Sequence, residues 1–574
     1  SHINDICISI WQSALIDIYL DKFTVALDSN YFKECFGLYP PPEYPPIVNF
    51  FYNSTVLQQE ASELYVSPSG DDENSGLSAD APLKSIAQAI RRLAASPDNP
   101  GTIHLANGVY GAEQNFPLNL RSYMQIIGES EAGVIFEPNG SCFRGNDSEK
   151  EVLLKNISFR GMIFNVSHSE KIIDCSSFNK IDGVLDKLSL QLENLTFQDI
   201  HPQIYFESYL YLVWMYRPES LILRNITVQN CEYSSAFFLN GDGIFADQIL
   251  FENNVNTGNR AFEGVAISKH PDTSSGVPQD NIFQNLRITN CRSNPAFPVS
   301  MIQIYGPYAT ATVVSRNYFI NCTLADNFGN SEANAVVRLR SPAKATFINS
   351  IITDATRPAF RLIDAENGQQ THLELLHCLL GTDGDLNAQV IIEGQENSVD
   401  WYGTNLSCDP LFYPWNPDNH YVLGEYSPCI DAGTLDFSNI TMPESFEYAT
   451  YDLAGNPRIY ATTVDLGAYE WQGAASIDTP EAQARFNLAN YPNPFNPHTN
   501  LKYEIPQSGR VRLSIYNLKG QKIRDLIDRQ MTAGIYTEIW DGCDANHNKQ
   551  SSGIYLFKLE AGGNTLIRKA IMMK

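Results

Sequence analysis

The chain has 574 residues, 43% apolar and 11% aromatic, enough for a continuous core and more than one domain. Its 39 Lys and Arg against 65 Asp and Glu give a formal charge of -26, which argues against nucleic acid and anionic membrane surfaces as partners, since either needs a basic stripe to displace counterions. The same acidity repels uronic-acid polymers unless a bound cation or a local Arg/Lys cluster intervenes.

Residues 1–62 form the first segment. Ser9, Gln12, Ser13 and Asp17 interrupt its most apolar stretch, Ile6 to Leu20, and no basic leader precedes it. It therefore reads as neither a membrane span nor an intact signal peptide, and an exported chain would have lost its targeting peptide before Ser1. Alternation in Ile16, Ile18 and Leu20, and again in Phe23, Val25 and Leu27, precedes a semi-rigid PPPEYPP run at Pro40 to Pro46. The segment is expected to cap the open end of a repeat stack, or to donate a strand to a neighbouring copy.

From Leu64 a strand, a turn rich in Gly, Asp and Asn, an amphipathic helix around Ile86 to Leu93, a strand over Thr102 to Leu105 and a turn at Asn107-Gly108 are predicted. Within DDENSG, Asp72, Asn74 and Gly76 have the spacing of oxygen ligands in a tight turn, making this a candidate calcium loop with a hydrogen-bonded Asx turn as the alternative. Then one phrase recurs eight times: NISFRGM, NLTFQDI, NITVQNC, QILFENN, NLRITNC, RNYFINC, KATFINS and HLELLHC. The last residues, Met162, Ile200, Cys231, Asn254, Cys291, Cys322, Ser350 and Cys378, are spaced 38, 31, 23, 37, 31, 28 and 28 apart. Such a period with alternating apolar residues predicts an all-β chain wound into a parallel β-helix over 63–472. Eleven cysteines is an odd count; Cys231, Cys291, Cys322 and Cys378 read as one stack of interior thiols, and Cys7 with Cys35 and Cys408 with Cys429 as pairs to test for bridges. Asn230, Asn290, Asn321 and Asn349 read as an internal amide ladder at a bend.

The stretch from Leu64 to Gly111 resembles the opening of secreted right-handed parallel β-helix proteins of the pectate-lyase-like group, which implies that hand of winding and a helix placed as a lid. YSPCIDAGTLDF and YDLAGNPRIYATTVDLGAYEWQ, within Tyr426 to Gln472, resemble the closing motif of bacterial surface β-helix proteins and are expected to finish the last coil. A small, polar linker over 473–486 leads to 487–574, where about seven short strands predict an Ig-like sandwich. NYPNPFNP, IYNLKGQKI, WDGCDANHN and SSGIYLFKL there resemble the C-terminal sorting domain of type IX secretion cargo. That resemblance implies the type IX secretion machinery as a partner and an extracellular or outer cell-surface location.

For chemistry, Asp242 in LNGDGIF and Glu263 in FEGVAIS are the carboxylates nearest to a glycosidase pattern, although the paired Asp between them is absent and no His matches. Arg338 and Arg340 in VVRLRSPAK point to one face with Lys344 following, the residue types a lyase uses as base; a solvated strand face is the alternative. Phe206 to Ser220 carries Tyr209, Tyr211, Trp214 and Tyr216, more aromatic rings than one coil can bury, and predicts either a platform for sugar rings or a loop packed on the solenoid. The resulting expectation is a structural or adhesive surface protein, with surface glycans or further copies of itself as partners and a head-to-tail filament as one form. The alternative is an extracellular lyase or hydrolase of acidic glycans.

Overall fold

The computed structural model describes residues 61–574 apart from single positions and short stretches, the longer being 146–150, 176–187, 205–208, 257–266, 271–279, 293–299, 306–315, 329–334, 364–369, 414–419 and 474–486. The expected N-terminal cap and the pair Cys7 and Cys35 lie outside the described residues. The chain divides into two compact units, one of residues to 410 with 431–469 and one of 411–430 with 470–574. Within 411–430, which groups with the C-terminal unit, Phe412 and Leu423 form an antiparallel bridge.

In the first unit the strands stack in parallel, with 17 described strands in one sheet and 10 in a second. Val152–Arg160, Ser189–Gln198, Ser220–Gln229, Ile244–Glu252 and Asn281–Thr289 are successive rungs of the first sheet. Their alternation buries Leu221, Leu223, Ile226 and Val228 and then breaks once, at Arg224 and Asn225, where two consecutive residues face outward. The break is a left-handed residue that bends the strand, and it recurs at each rung as Asn156, Asn194, Asn225, Gln248, Asn285, Asn321, Asn349 and His377, with φ between 49° and 57°. A second bend of the same kind follows at Asp199, Asn230, Asn253, Asn290 and Asp326, with φ between 53° and 56°. Asn and Asp suit both, because their short polar side chains tolerate this region and bond locally.

Two bends per coil correct the expected single stack of cysteines. Gln284 pairs with Ile320 and Arg287 with Thr323, so Cys322 lies opposite Leu286, while Cys291 lies opposite position 327. Cys231 and Cys291 therefore follow the second bend, and Cys322 and Cys378 follow the first. The phrases slipped by one bend because both bends carry the same signature, an apolar strand end, an Asn and a small interior residue. The Asn ladder divides likewise. Asn230 donates to Asp199 at 3.2 Å along the second bend, while at the first Asn194 donates to Asn156 at 2.8 Å and Asn225 to Asn194 at 3.0 Å. Asn321 and Asn349 turn instead to a covering segment, Asn321 donating to Tyr448 Oη at 2.7 Å and Asn349 to Thr434 O at 2.8 Å.

Within each column a thiol alternates with an oxygen-bearing side chain. Cys231 N–H donates to Asn254 Oδ1 at 2.9 Å, Cys291 N–H to Asn327 Oδ1 at 3.0 Å, Cys322 N–H to Ser350 Oγ at 3.0 Å and Cys378 N–H to Asn405 Oδ1 at 2.8 Å. The arrangement satisfies a buried amide at the bend and keeps thiols of one column two rungs apart, about 10 Å, beyond disulfide reach. All four are free thiols, as are Cys408 and Cys429, the pair singled out for testing as a bridge. Asn254→Leu strands the Cys231 amide without its acceptor, and a loss of about 1–3 kcal/mol in the urea unfolding free energy is expected. Burial pushes the thiols of Cys231, Cys291, Cys322 and Cys378 up to about 12. The native protein at pH 8 should therefore leave these four unreacted with a thiol-exchange reagent, and urea should release them.

The core between the sheets is apolar, with Phe283, Phe319 and Phe347 stacked at 4.9 and 4.6 Å on successive rungs. The helix Ile86–Arg92 buries Ile86, Ala89 and Ile90 against this core. The expected closing motif does not finish the last coil. Residues 431–469 instead run back along the first bend, where Ala432 O meets His377 Nδ1 at 2.9 Å, Tyr451 O accepts from Asn285 at 3.1 Å and Asp452 O accepts from Gln248 at 3.3 Å. This strap satisfies polar groups that the left-handed residues present sideways. Its Phe437, Ile440, Phe446 and Tyr448 also cover the apolar outer positions Tyr318, Ile320, Ile348 and Leu376.

The C-terminal unit contains two antiparallel sheets, Asn487–Tyr491, Thr499–Ile505 and Gly534–Trp540 in one, and Lys522–Met531, Gly509–Asn517, Gly553–Ala561 and Asn564–Met572 in the other. They share a core of Leu501, Tyr503, Leu513, Ile515, Phe557 and the fully buried Trp540, whose indole N–H donates to Cys543 O at 2.8 Å.

Candidate glycan-binding face

Parallel register carries one column along the second sheet, in which Trp214, Phe238, Arg338 and Arg361 are half-buried and Gln303 is buried. Asp174 pairs with Trp214, Trp214 with Phe238, Phe238 with Ser268, Ser268 with Gln303, Gln303 with Arg338, and Arg338 with Arg361. The fold thus brings together the aromatic segment and the arginine segment, which stand more than a hundred residues apart in sequence. Trp214 and Arg338 are four rungs apart, about 19 Å along the face.

At the aromatic end Trp214 and Phe238 stack with centroids 4.0 Å apart and planes 9° off parallel. Lys171 Nζ lies 4.5 Å from the Trp214 centroid and 3.4 Å from Asp174 Oδ1. Tyr211 was expected in the exposed platform but is buried, packed edge-on to Trp214 at 4.6 Å. The side chains of Tyr209 and Tyr216 lie outside the described residues.

At the basic end Arg338 and Arg340 are half-buried on the outward face of the strand Val337–Arg340, and Arg361 on the next rung is ion-paired with Glu393. Burial holds the pKa of Arg338 below its ordinary value; the charges of Arg340 and Arg361 add to this, while Tyr305 and Glu393 oppose it. A half-buried guanidinium beside two like charges favours an approaching anion, which offsets their repulsion. Lys344 does not join this cluster, because it lies on the first sheet with its Nζ 3.1 Å from Glu374.

Asp242 and Glu263 lie outside the described residues. Asp72 and Asn74 do not fit a cation. Asp72 Oδ1 accepts from Lys84 N at 3.0 Å and Ser85 N at 2.8 Å, and Oδ2 accepts from Ser85 Oγ at 2.8 Å. Burial alone would raise the Asp72 pKa, but these bonds outweigh it and hold the carboxyl below its ordinary range. The Asp72 and Asn74 carbonyls, which a calcium ion would use, accept instead from Arg92 at 3.0 and 2.8 Å. The DDENSG turn anchors the start of the helix, and among the described residues no group of three or more His, Cys, Asp or Glu could hold a metal.

Lys171, Asp174, Phe238, Gln303 and Arg361 were missed by sequence reasoning. Their signal is the register itself, which in sequence is irregular, from 23 residues (338 to 361) to 40 (174 to 214).

Comparison with known proteins locates two families in the chain. Residues 68–292 match a family described as protein of unknown function (DUF1565), a parallel β-helix family, and residues 489–573 match the secretion system C-terminal sorting domain. No curated protein matches. Among solved structures, latent PorU from Porphyromonas gingivalis is 16% identical over 15% of this chain and 9% of its own, with a TM-score of 0.14. The chain thus spans less than a tenth of that relative's length. An α-1,3-glucanase catalytic domain is 15% identical over 57% of this chain and 68% of its own, with a TM-score of 0.26. Pectin methylesterase PemA from Erwinia chrysanthemi is 14% identical over 49% of this chain and 89% of its own, with a TM-score of 0.23. Among the described residues no helix is long and apolar enough to cross a membrane. The chain carries a type IX secretion C-terminal sorting domain, which engages the secretion machinery and directs it to the cell surface or the extracellular space.

Proposed function

We propose that this secreted chain binds acidic glycans at the cell surface along the outward face of its second sheet. The observation that carries the reading is the single register column that places the half-buried Trp214–Phe238 stack in line with the half-buried Arg338 and Arg361. An aromatic stack offers an apolar platform for a sugar ring, and half-buried arginines suit carboxylates with bidentate geometry. The local cluster also supplies the positive charge needed to overcome a net charge of -26. The right-handed winding and the Ig-like character of the C-terminal sheets belong to the same reading, supported by the motifs quoted above. Head-to-tail assembly needs residues 1–62, of which 1–60 lie outside the described residues, so the glycan face is the better supported role.

Affinity electrophoresis tests this. The protein should be retarded in gels containing a polyuronate and not in gels containing a neutral polysaccharide, and added salt should relieve the retardation. Equal mobility in both gels would remove the reading. A polysaccharide lyase is the second reading, favoured by the grouping of Arg338, Arg340 and Arg361 on adjacent rungs. Release of unsaturated ends from a polyuronate by the native chain, and its loss in Arg338→Ala, would establish it.

A further inference from the structure

On the other sheet, at the last coils, register sets Lys344, His372 and Ser398 in one outward column and Thr346, Glu374 and Asp400 in the next. Ser398 Oγ lies 2.8 Å from His372 Nδ1 and accepts from Gln370 Nε2 at 2.9 Å. The carboxylates of Asp400 and Glu374 that face Nε2 favour the proton there, which leaves Nδ1 to accept from the Ser398 hydroxyl. His372 Nε2 faces Asp400 Oδ2 at 3.3 Å and Glu374 Oε1 at 3.6 Å. Burial raises the Glu374 pKa, but hydrogen bonds from His372, Thr346 and Lys344 carry it down to about 2, so it remains a carboxylate. The site is reachable: Gln370 is exposed, Ser398 half-buried, and the His372 side chain 22% exposed.

We propose that Ser398 and His372, positioned by Asp400 and Glu374, form an acyl-transfer site that hydrolyses carboxylic esters. The hydrogen-bond order serine, imidazole, carboxylate is what base activation of a hydroxyl nucleophile requires. Ser398 Oγ attacks the ester carbonyl while its proton passes to His372 Nδ1, and the two carboxylates stabilise the imidazolium. Gln370 Nε2, already bonded to Ser398 Oγ, donates to the developing oxyanion. The ester C–O bond breaks as His372 returns the proton to the departing alcohol, leaving an acyl-serine. Water, deprotonated by His372, attacks the acyl carbon, and the acid departs with the serine hydroxyl restored.

The test uses the full chain with a fluorophosphonate probe, peptide mapping by mass spectrometry, and p-nitrophenyl acetate as substrate. The wild type should be labelled at Ser398, and Ser398→Ala should lose both labelling and ester hydrolysis. His372→Gln should slow hydrolysis by roughly a hundredfold or more. Asp400→Asn, which alters only the orienting partner, should lower kcat with KM unchanged, and Asp400→Glu should recover part of it. A folded wild type that takes no label at Ser398, or a Ser398→Ala chain that hydrolyses the ester at the wild-type rate, would overturn the proposal. Because the labelling is read on the wild type, a variant that fails to fold does not decide the outcome.

Discussion

Arg458→Met is expected to lower the unfolding free energy of the β-helical unit by about 3–5 kcal/mol, the cost of leaving three buried acceptors without a charged donor. Arg458 is 1% exposed; its guanidinium donates to Gly467 O and Ala468 O at 3.1 Å each and also to Asn285 Oδ1. Its loss leaves two strap carbonyls and the Asn285 amide oxygen without this donor in a dry site. It also removes a positive charge from the surroundings of Asp247, whose pKa burial already raises and the Asn285 and Gln248 hydrogen bonds and the Arg458 charge pull back. Methionine keeps much of the side-chain length, so lost polar pairing rather than a cavity dominates the effect. Urea denaturation measures the size of the loss, and limited proteolysis locates it: cleavage should concentrate within 431–469, while the solenoid strands stay protected. Unchanged stability and proteolysis would mean that the strap does not depend on this latch.

The parallel architecture was legible because alternation such as Leu221, Leu223, Ile226 and Val228 marks a strand buried on one face, and its recurrence marks a stack. The alignment of the rungs was less legible. Asn225 and Asn230 bend the same coil five residues apart, and an apolar strand end with Asn and a small residue reads alike at either, so phrases ending at Cys291 and Cys322 were set level although Cys322 stands opposite Leu286. The strap was misread for a related reason. Gly and Asp in YDLAGNPR and VDLGAYE signal turns, but turn signals do not say which surface the chain then follows. What fixes its path is partners distant in sequence, Asn285, Asn349 and His377, each bent outward and needing a bond.

The candidate sites divide along the same line. Trp214 and Arg338 were each singled out by local composition, yet that they share a face depends on loop lengths between rungs, which no short motif encodes. Phe238, Gln303, His372 and Ser398 sit in ordinary strands, and only register gives them neighbours. Asp72 shows the converse. Its spacing is that of a cation ligand, but Ser85 and Lys84 bond its carboxylate, and Arg92 bonds its carbonyl and that of Asn74.

Glycan binding should fall at least tenfold in Trp214→Ala and in Arg338→Ala, the scale of truncating one anchor of a binding face. The two substitutions act differently. Removal of Trp214 takes away the platform on which Phe238 stacks and over which Lys171 sits, so the loss should persist at high salt. Removal of Arg338 takes away a charge, so its effect should shrink as salt rises. Arg338→Lys should recover little, since an ammonium cannot reproduce the planar fork.

The most direct measurement is calorimetric titration of the full chain with an oligouronate long enough to span the rungs from Trp214 to Arg338, in the wild type, each alanine variant and the double variant. One continuous face predicts that each single substitution weakens the same binding event and that the double variant shows no heat above dilution. Wild-type affinity retained in both single variants would contradict it.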